Sequence, residues 1–120
     1  MDNATTNLVF VYGSLRKGYG NHRLLQDSEF KGYHNTEPAY TMYSLGPFPM
    51  VGETGHHSIV GEVYEVDEDT ALALDNLEGY PHFYDRIIID TEHGPAWMYV
   101  GGHTGQIVES GDWTEHREAV

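Results

Sequence analysis

The stretch VFVYGSL, residues 9–15, is an apolar run that stops at a glycine and a serine. A short run of β-branched and aromatic residues bounded by turn residues is typical of a buried strand, which we predict over 8–12. Residues 13–20 contain three glycines. Glycine lets a backbone approach a ligand closely, and the N–H groups of such a turn can hold an anion. The pattern fits a ligand loop at the end of a central strand, and it also fits a plain strand-to-loop turn.

The common phosphate-binding and nucleophile motifs do not occur in the chain. There is no G-x-G-x-x-G dinucleotide fingerprint, no G-K-[ST] triplet of a P-loop and no G-x-S-x-G nucleophile elbow around Ser14. Arg16 and Lys17 follow the glycine-rich turn. They are either contacts for an anionic substrate or solvated positive charges on an acidic protein.

Length, cysteine content and charge limit the classes of protein to which the chain can belong. A chain of 120 residues without cysteine fits a domain with its own core and with neither disulfides nor thiolate metal sites. The 19 acidic and 6 basic residues give a net charge of −13, which disfavours binding to nucleic acids and anionic membranes. No apolar stretch approaches the ~20 residues that span a bilayer, and residues 1–7 lack an apolar signal region. We expect a cytoplasmic protein.

Periodicity and turn residues predict several further elements. No repeat or composition break divides the chain, so we expect one domain over 1–120, with residues 1–7 and about 102–120 flexible or peripheral. The tail is glycine-rich and then acidic, and it predicts no particular structure. The predicted elements are strands at 59–66, 84–91 and 96–100, an extended stretch at about 30–45, a short helix near 21–26 and a non-helical loop at 46–49.

A helix is predicted between Asp67 and Gly79. Aspartate is a preferred N-cap, and glycine followed by a proline ends a helix. Leu74 and Glu78 are four residues apart, so they share the helical face that is expected to pack on the core. A carboxylate on that face costs free energy unless it is paired. Glu78 therefore reaches solvent or pairs with Arg86, or it lies in a partly closed pocket as a proton shuttle.

The eight histidines form no recognisable metal motif. No two of them are four residues apart, and no H-E-x-x-H helix pattern occurs. The adjacent pair at 56–57 would point to opposite faces of a strand. We therefore expect neither a metal nor another cofactor.

Three segments are specific when they are taken together, and two predicted strands fit with them. The segments are VYGSLRKG at 11–18, LDNLEGYP at 74–81 and YDR at 84–86, and the strands are GEVY at 61–64 and AWMYV at 96–100. In composition, order and spacing they resemble the gamma-glutamylcyclotransferase-like family, including its gamma-glutamylamine cyclotransferase branch. The resemblance spans roughly residues 8–101 and leaves the last 19 residues without a match.

The resemblance implies an α+β fold, a small mixed barrel or strongly curved sheet with a few packed helices. It also implies a site. In that family the Tyr-Gly-Ser-Leu loop cradles a glutamyl head group largely through backbone N–H groups, and the glutamate of the Leu-Asp-x-x-Glu-Gly segment is catalytic. The matching positions are Tyr12, Gly13, Ser14 and Leu15 for substrate binding and Glu78 for catalysis.

Tyr84, Arg86 and Tyr99 are candidates for a supporting role. Tyr84 and Arg86 are two residues apart, so on a strand they share a face. In one interpretation Arg86 fixes a nearby carboxylate and Tyr84 lines the pocket. In the other, both residues serve cross-strand packing with a surface ion pair.

The activity that the resemblance implies is an amine-releasing, lactam-forming cyclotransferase. The α-amine of a γ-glutamyl group attacks its own γ-carbonyl, closes 5-oxoproline and expels the attached amine or amino acid, with Glu78 as general base and acid. The alternative is a non-catalytic small-molecule binding module on the same fold. The expected partner is a small γ-glutamyl compound, with neither nucleic acid nor membrane, and the identity of that compound and the oligomeric state stay open.

Overall fold

The computed structural model describes residues 7–118, in which the strands form a five-stranded and a three-stranded sheet. The strands are β1 (Leu8–Val11), β2 (Glu29–Asn35), β3 (Tyr40–Ser44), β4 (Pro49–His57), β5 (Val60–Glu65), β6 (Asp85–Ile89), β7 (Ala96–Val100) and β8 (Gln106–Ile107). The helices are a 3-10 helix (Gly20–Leu25), α1 (Glu68–Glu78) and α2 (Trp113–Glu118). Over the described range, no helix has both the length and the apolar character needed to cross a membrane.

Strand β1 lies at the centre of the five-stranded sheet, whose order is β2-β5-β1-β7-β6. It pairs antiparallel with β5 and parallel with β7. The smaller sheet has the order β4-β3-β8, and its pairings are antiparallel. This mixed architecture of curled sheets and few helices confirms the predicted α+β fold class.

Both faces of β1 are buried, which explains its unbroken apolar run. Phe10 packs in a core cluster that includes Met42 of the smaller sheet. Val9 and Val11 point to the other face and pack in a second cluster with Leu74 of α1. The strand therefore lies between the smaller sheet and α1, and the glycine-rich loop leaves it where these two layers meet.

Helix α1 has the caps that its sequence predicts. The Asp67 carboxylate accepts a hydrogen bond from the N–H of Thr70 at 2.8 Å, and Gly79 ends the helix in the left-handed region at φ +68°. Leu74 is 1% exposed and attaches the helix to the core. The helix boundaries therefore place Glu78 at its last residue, facing the loop after β1.

Strand β4 has no counterpart in the sequence prediction, because its proline and glycines are typical of a loop. Gly55 is required by packing and conformation, since its φ is +147° and a Cβ would lie 2.5 Å from the carbonyl oxygen of Tyr40 and would overlap the Thr41 hydroxyl. A Cβ on Gly52 would displace the exposed ring of His103. Contacts with residues distant in the chain, and not local propensity, therefore specify this strand.

The C-terminal segment contributes to the core. Val108 is 3% and Trp113 is 1% exposed, and both belong to the cluster of Phe10. The carbonyl of Gly111 accepts a hydrogen bond from the N–H of Val60 at 2.9 Å. The expected peripheral placement does not hold for these residues, since isolated apolar residues in a polar tail produce no periodicity. Residues 1–6 and 119–120 lie outside the described residues.

Candidate active site

A cavity of about 370 Å³ opens where the loop after β1, the end of α1 and the β3–β4 connection meet. Its volume lies within the range of small-molecule sites. The predicted binding residues 12–15 and Glu78 line it, as do Tyr84 and Tyr99, whereas Arg86 does not. The structure thus brings most of the predicted site residues to one cavity.

Glu78 is a largely buried carboxyl group in this cavity. Among residues 7–118, no side chain or backbone group forms a hydrogen bond or ion pair with it. Burial raises the pKa of Glu78 to about 7. Of the three arrangements open from the sequence, the structure has the carboxyl in a partly closed pocket, since Arg86 pairs elsewhere. A carboxyl with a pKa near neutrality can both accept and return a proton at physiological pH.

Asp75 attaches the end of α1 to the sheet. Nη1 of Arg86 lies 3.0 Å from both Asp75 carboxylate oxygens, and the Tyr99 hydroxyl donates to Asp75 Oδ1 at 2.7 Å. The Arg86 guanidinium also lies over the Trp97 ring, 4.5 Å from its centroid. Asp75 precedes Glu78 by three residues, about one helical turn, so this cluster sets where the Glu78 side chain begins. Sequence reasoning did not assign Asp75 a role, although its spacing from Glu78 was a usable signal.

Tyr12 and Tyr84 line the cavity, and their hydroxyl groups already donate hydrogen bonds to backbone carbonyls. The Tyr12 hydroxyl donates to the carbonyl of Tyr99 at 2.7 Å, and the Tyr84 hydroxyl donates to the carbonyl of Pro49 at 2.6 Å. Burial, with the charge of Glu78 contributing, raises the pKa of Tyr12 and of Tyr84 well above the ordinary value. These hydroxyls therefore stay protonated at neutral pH and leave Glu78 as the titrating group of the cavity.

The loop after β1 lines the cavity and has backbone donors without a protein acceptor among residues 7–118. The N–H of Arg16 donates to the carbonyl of Gly13 at 2.9 Å and closes a turn. The Ser14 hydroxyl accepts a hydrogen bond from Asn21, and the carbonyl of Leu15 is bonded by a histidine of the 3-10 helix. Within the described range, no protein acceptor is bonded to the N–H of Ser14 or of Leu15. Two such donors in a cavity wall can hold a carboxylate or a developing oxyanion.

Arg16 and Lys17 do not contribute to the cavity. Arg16 is 7% exposed and pairs with Glu62 and Asp112, while Lys17 is exposed. The described residues that line the cavity include no arginine, lysine or histidine. The sequence left two alternatives for Arg16, contact with a substrate or exposure to solvent. Neither is observed, because the side chain is buried and forms ion pairs with Glu62 and Asp112.

The histidines remain scattered in three dimensions. Over residues 7–118, no group of three or more histidine, aspartate or glutamate side chains is arranged to hold a metal ion.

The model of the family described as "Gamma-glutamyl cyclotransferase, AIG2-like" matches residues 9–115. The chain belongs to this family. The match includes both the loop after β1 and the end of α1, so the cavity lies within the part of the chain that defines the family. It also extends beyond the sequence resemblance into the segment that carries Val108 and Trp113.

Relatives of similar length support the family assignment. Two are named "Putative gamma-glutamylcyclotransferase": one from Vibrio cholerae, 46% identical over 91% of this chain and 96% of its own length, and one from Methanocaldococcus jannaschii, 46% identical over 91% and 97%. A crystal structure of an uncharacterized protein from Pyrococcus horikoshii superimposes with a TM-score of 0.83 at 30% identity, covering 95% of both chains. Family membership is therefore shown at the level of sequence and of fold.

The raised pKa of Glu78 predicts a specific pH dependence of stability. Because the folded-state pKa is about 7, above the ordinary 4.5, folding favours the protonated form of Glu78, and the contribution of this group to stability falls as pH rises from about 4.5 to about 7 and then levels off. Glu78→Gln mimics the protonated form. The variant should match the wild type at about pH 4 and exceed it by on the order of 3 kcal/mol at pH 8, as measured by chemical denaturation.

The matched control is Glu109→Gln, which removes the same charge at an exposed position. If Glu109→Gln stabilises the protein at pH 8 as much as Glu78→Gln does, relief of general repulsion and not the burial of Glu78 explains the gain.

Proposed function

We propose that this protein converts a γ-glutamyl compound into 5-oxoproline and a free amine or amino acid. The observation that carries the proposal is the unpartnered Glu78 carboxyl, with a pKa of about 7, in the same cavity as the free N–H groups of Ser14 and Leu15. One group can move a proton at neutral pH, and the others can hold negative oxygen atoms. Ring closure of a γ-glutamyl group needs these two functions.

The proposed reaction is an intramolecular aminolysis. Ionised Glu78 removes a proton from the α-ammonium group, and the free α-amine attacks the γ-carbonyl carbon. The new C–N bond closes the five-membered ring, and the carbonyl oxygen becomes an oxyanion that backbone N–H groups stabilise. When the bond to the leaving nitrogen breaks, protonated Glu78 returns the proton to it. The ionised carboxylate then takes the second proton from the ring nitrogen and passes it to the released amine, which leaves as an ammonium ion beside neutral 5-oxoproline. Atoms and charges balance with no added reactant.

Orientation is one part of the proposed rate enhancement. The amine and the carbonyl are already tethered in the substrate, and the cavity would hold the otherwise extended γ-glutamyl chain folded so that its two ends meet. The loop at residues 12–15 would hold the α-carboxylate at one end of the chain. One N–H group cannot bind both the α-carboxylate and the oxyanion. The N–H groups of Ser14 and Leu15 therefore either bind one of these each, or both bind the same one.

A non-catalytic binding module on the same fold is the alternative. It would have no use for a buried, unpaired carboxyl group, which costs free energy when it ionises. Glu78 therefore favours the enzyme.

The direct test is incubation of the purified protein with a panel of γ-glutamyl amino acids and γ-glutamylamines, with detection of 5-oxoproline. Product formation by the wild type that depends on Glu78 supports the proposal. Tight binding of panel compounds with no 5-oxoproline from any of them would support the binding module instead.

The apolar side chains at the rim of the cavity predict which leaving groups the proposed enzyme prefers. Phe83 and Leu77, which are 54% and 40% exposed, lie at the cavity together with Phe48, and the rings of Phe48 and Phe83 are 6.3 Å apart. An apolar leaving group can pack there, whereas a carboxylate would find no cation. We expect γ-glutamyl-phenethylamine to react with a kcat/KM roughly 10-fold or more above that of γ-glutamyl-phenylalanine, since one unpaired charge in a partly desolvated site costs about 1.4 kcal/mol or more.

The two compounds differ only in one carboxylate, which makes the comparison specific. Leu77→Arg places a cation at the rim and should narrow the ratio, mostly through a lower KM for the phenylalanine compound. Equal kcat/KM values for the two compounds in the wild type would contradict the expected preference and leave the cyclisation itself intact.

A further inference from the structure

A buried ionic network lies directly behind the loop after β1. Arg16 and Glu62 are 7% and 4% exposed. Nε of Arg16 donates to Glu62 Oε2 at 3.0 Å, and Nη1 of Arg16 donates to Asp112 Oδ1 at 3.0 Å. None of these three residues lines the cavity. The network is therefore adjacent to the proposed site without being part of its surface.

The Glu62 carboxylate joins the loop to the central sheet. Glu62 lies on β5 opposite Val11, the last residue of β1. Its Oε1 accepts hydrogen bonds from the backbone N–H of Lys17 at 3.0 Å and from the Tyr64 hydroxyl at 2.8 Å, while Oε2 is occupied by Arg16. The Arg16 side chain and the Lys17 backbone N–H, which follow Leu15 in the chain, are thus both bonded to the Glu62 carboxylate.

Asp112 extends the network to the C-terminal helix. Besides Arg16, its Oδ1 accepts hydrogen bonds from the N–H groups of Thr114 and Glu115 at 3.0 and 3.3 Å, at the start of α2. Trp113 anchors this helix in the core. The far end of the network therefore rests on a fixed part of the fold.

Stability alone is a poor reason for such a network. Burying ion pairs has a desolvation cost that their attraction often does not exceed, and apolar residues of similar volume are frequently as stable or more so. The position of the network suggests another role. Arg16 closes the turn through its N–H bond to Gly13 and carries the ion pairs through its side chain, so it connects the loop backbone to the network.

We propose that Arg16, Glu62 and Asp112 are positioning residues that hold the backbone of residues 13–15 in the shape that binds the glutamyl head group. The proposal rests on the proposed function for what the loop binds, but not for the shape of the free loop. Loss of the network would let the turn relax and move the N–H groups of Ser14 and Leu15. The end of α1, which carries Glu78, is held separately by the pair of Asp75 and Arg86, so Glu78 should keep its proton chemistry.

The test is the double variant Arg16→Met/Glu62→Met, which replaces the buried pair by apolar side chains and leaves the net charge unchanged. We expect it to fold with a lower melting temperature, because the Tyr64 hydroxyl, the Lys17 N–H and Asp112 lose their partners, so its kinetics are measured well below the transition. Its kcat/KM should fall roughly 10-fold or more, mainly through KM, because displacement of positioning groups by an ångström can cost up to about 100-fold. The pH midpoint of kcat/KM should not move. Arg16→Lys, which keeps the charge but not the two separate nitrogen contacts, should retain part of the activity and exceed the double variant.

The matched control is Lys31→Met/Glu29→Met, which removes a solvent-exposed ion pair of the same sheet at 3.4 Å. Exposed pairs contribute little, so its kcat/KM and loop should be unchanged. The second measurement does not use catalysis: amide chemical shifts and hydrogen exchange of residues 13–15 in the free protein. The network variant should change them, and the control should not.

A folded Arg16→Met/Glu62→Met variant with wild-type KM and unchanged loop amides would overturn the proposal. If it fails to fold, Asp112→Asn replaces it, since that side chain is 25% exposed and the amide oxygen can still accept from Thr114. The expected result for Asp112→Asn is a smaller rise in KM and shifted loop amides, and the absence of both would equally overturn the proposal. If the wild type forms no 5-oxoproline from any γ-glutamyl compound, the proposed function fails, and the loop amides still decide whether the network positions the loop.

Discussion

Glu78→Gln should lower kcat roughly 100-fold or more while the protein stays folded, because an amide keeps the shape of the side chain but cannot take up a proton. Positioned general acids and bases contribute about 100- to 10,000-fold to rate. In the proposed reaction Glu78 acts twice, on the α-ammonium group and on the leaving nitrogen, so both steps are slowed. The measurement is 5-oxoproline formation under saturating substrate, with circular dichroism to verify the fold.

KM should change much less than kcat, since the loop at 12–15 and not Glu78 is expected to hold the head group. The wild-type kcat/KM, which reports ionisation of the free enzyme, should rise with pH through about 7 as Glu78 ionises, and the residual rate of the variant should lack that dependence. Glu109→Gln, an exposed carboxylate, serves as the control for charge. Near-normal turnover in a well-folded Glu78→Gln variant would remove Glu78 from the mechanism.

Gly13→Val should be nearly as damaging, for a reason of space. A Cβ at position 13 would lie 2.7 Å from Cγ and 2.8 Å from Cδ of Pro49, closer than real Cβ contacts allow. The proline ring cannot swing away as a flexible side chain can, so the loop backbone must shift and the Ser14 and Leu15 donors must shift with it. We expect kcat/KM to fall roughly 100-fold, the scale associated with a misplacement of about 1 Å.

Two comparisons separate this effect from general damage. Gly20→Ala, in the same glycine-rich segment, adds a Cβ that meets nothing within 4 Å and should be tolerated. Ser14→Ala removes a hydroxyl whose observed bond is the one accepted from Asn21, so it should cost less than 10-fold, in line with about one neutral hydrogen bond. If Ser14→Ala abolishes activity while Gly13→Val is tolerated, the serine side chain and not the backbone holds the substrate.

The elements that could be predicted from the sequence are those that local chemistry decides. Strand β1 is predicted because a run of apolar β-formers ends at a turn residue. Helix α1 is predicted because Asp67 satisfies the first free N–H groups and Gly79 accepts a left-handed conformation. Those caps also place Glu78 at the helix end, which is why a local pattern and a family resemblance sufficed to single it out.

Long-range packing decided the elements that the sequence did not predict. Strand β4 contains glycines that are unfavourable for a strand until His103 and Thr41 occupy the space above them. Trp113 enters the core from a tail without apolar periodicity. In both cases the favourable term is a contact with a residue far away in the chain, and no window of local sequence contains it.

For the charged residues too, the local sequence predicts some features, and the fold alone determines others. The sequence by itself determined that Glu78 shares a helix face with the core residue Leu74 and that a glycine-rich turn follows the central strand. Only the tertiary structure decided which carboxylates two of the arginines meet: Arg86 pairs with Asp75, and Arg16 pairs with Glu62 and Asp112, 46 and 96 residues away. An ion pair forms where the fold brings opposite charges together out of water. These two arginines are used in this way, and Glu78 is unpaired in its cavity with a raised pKa.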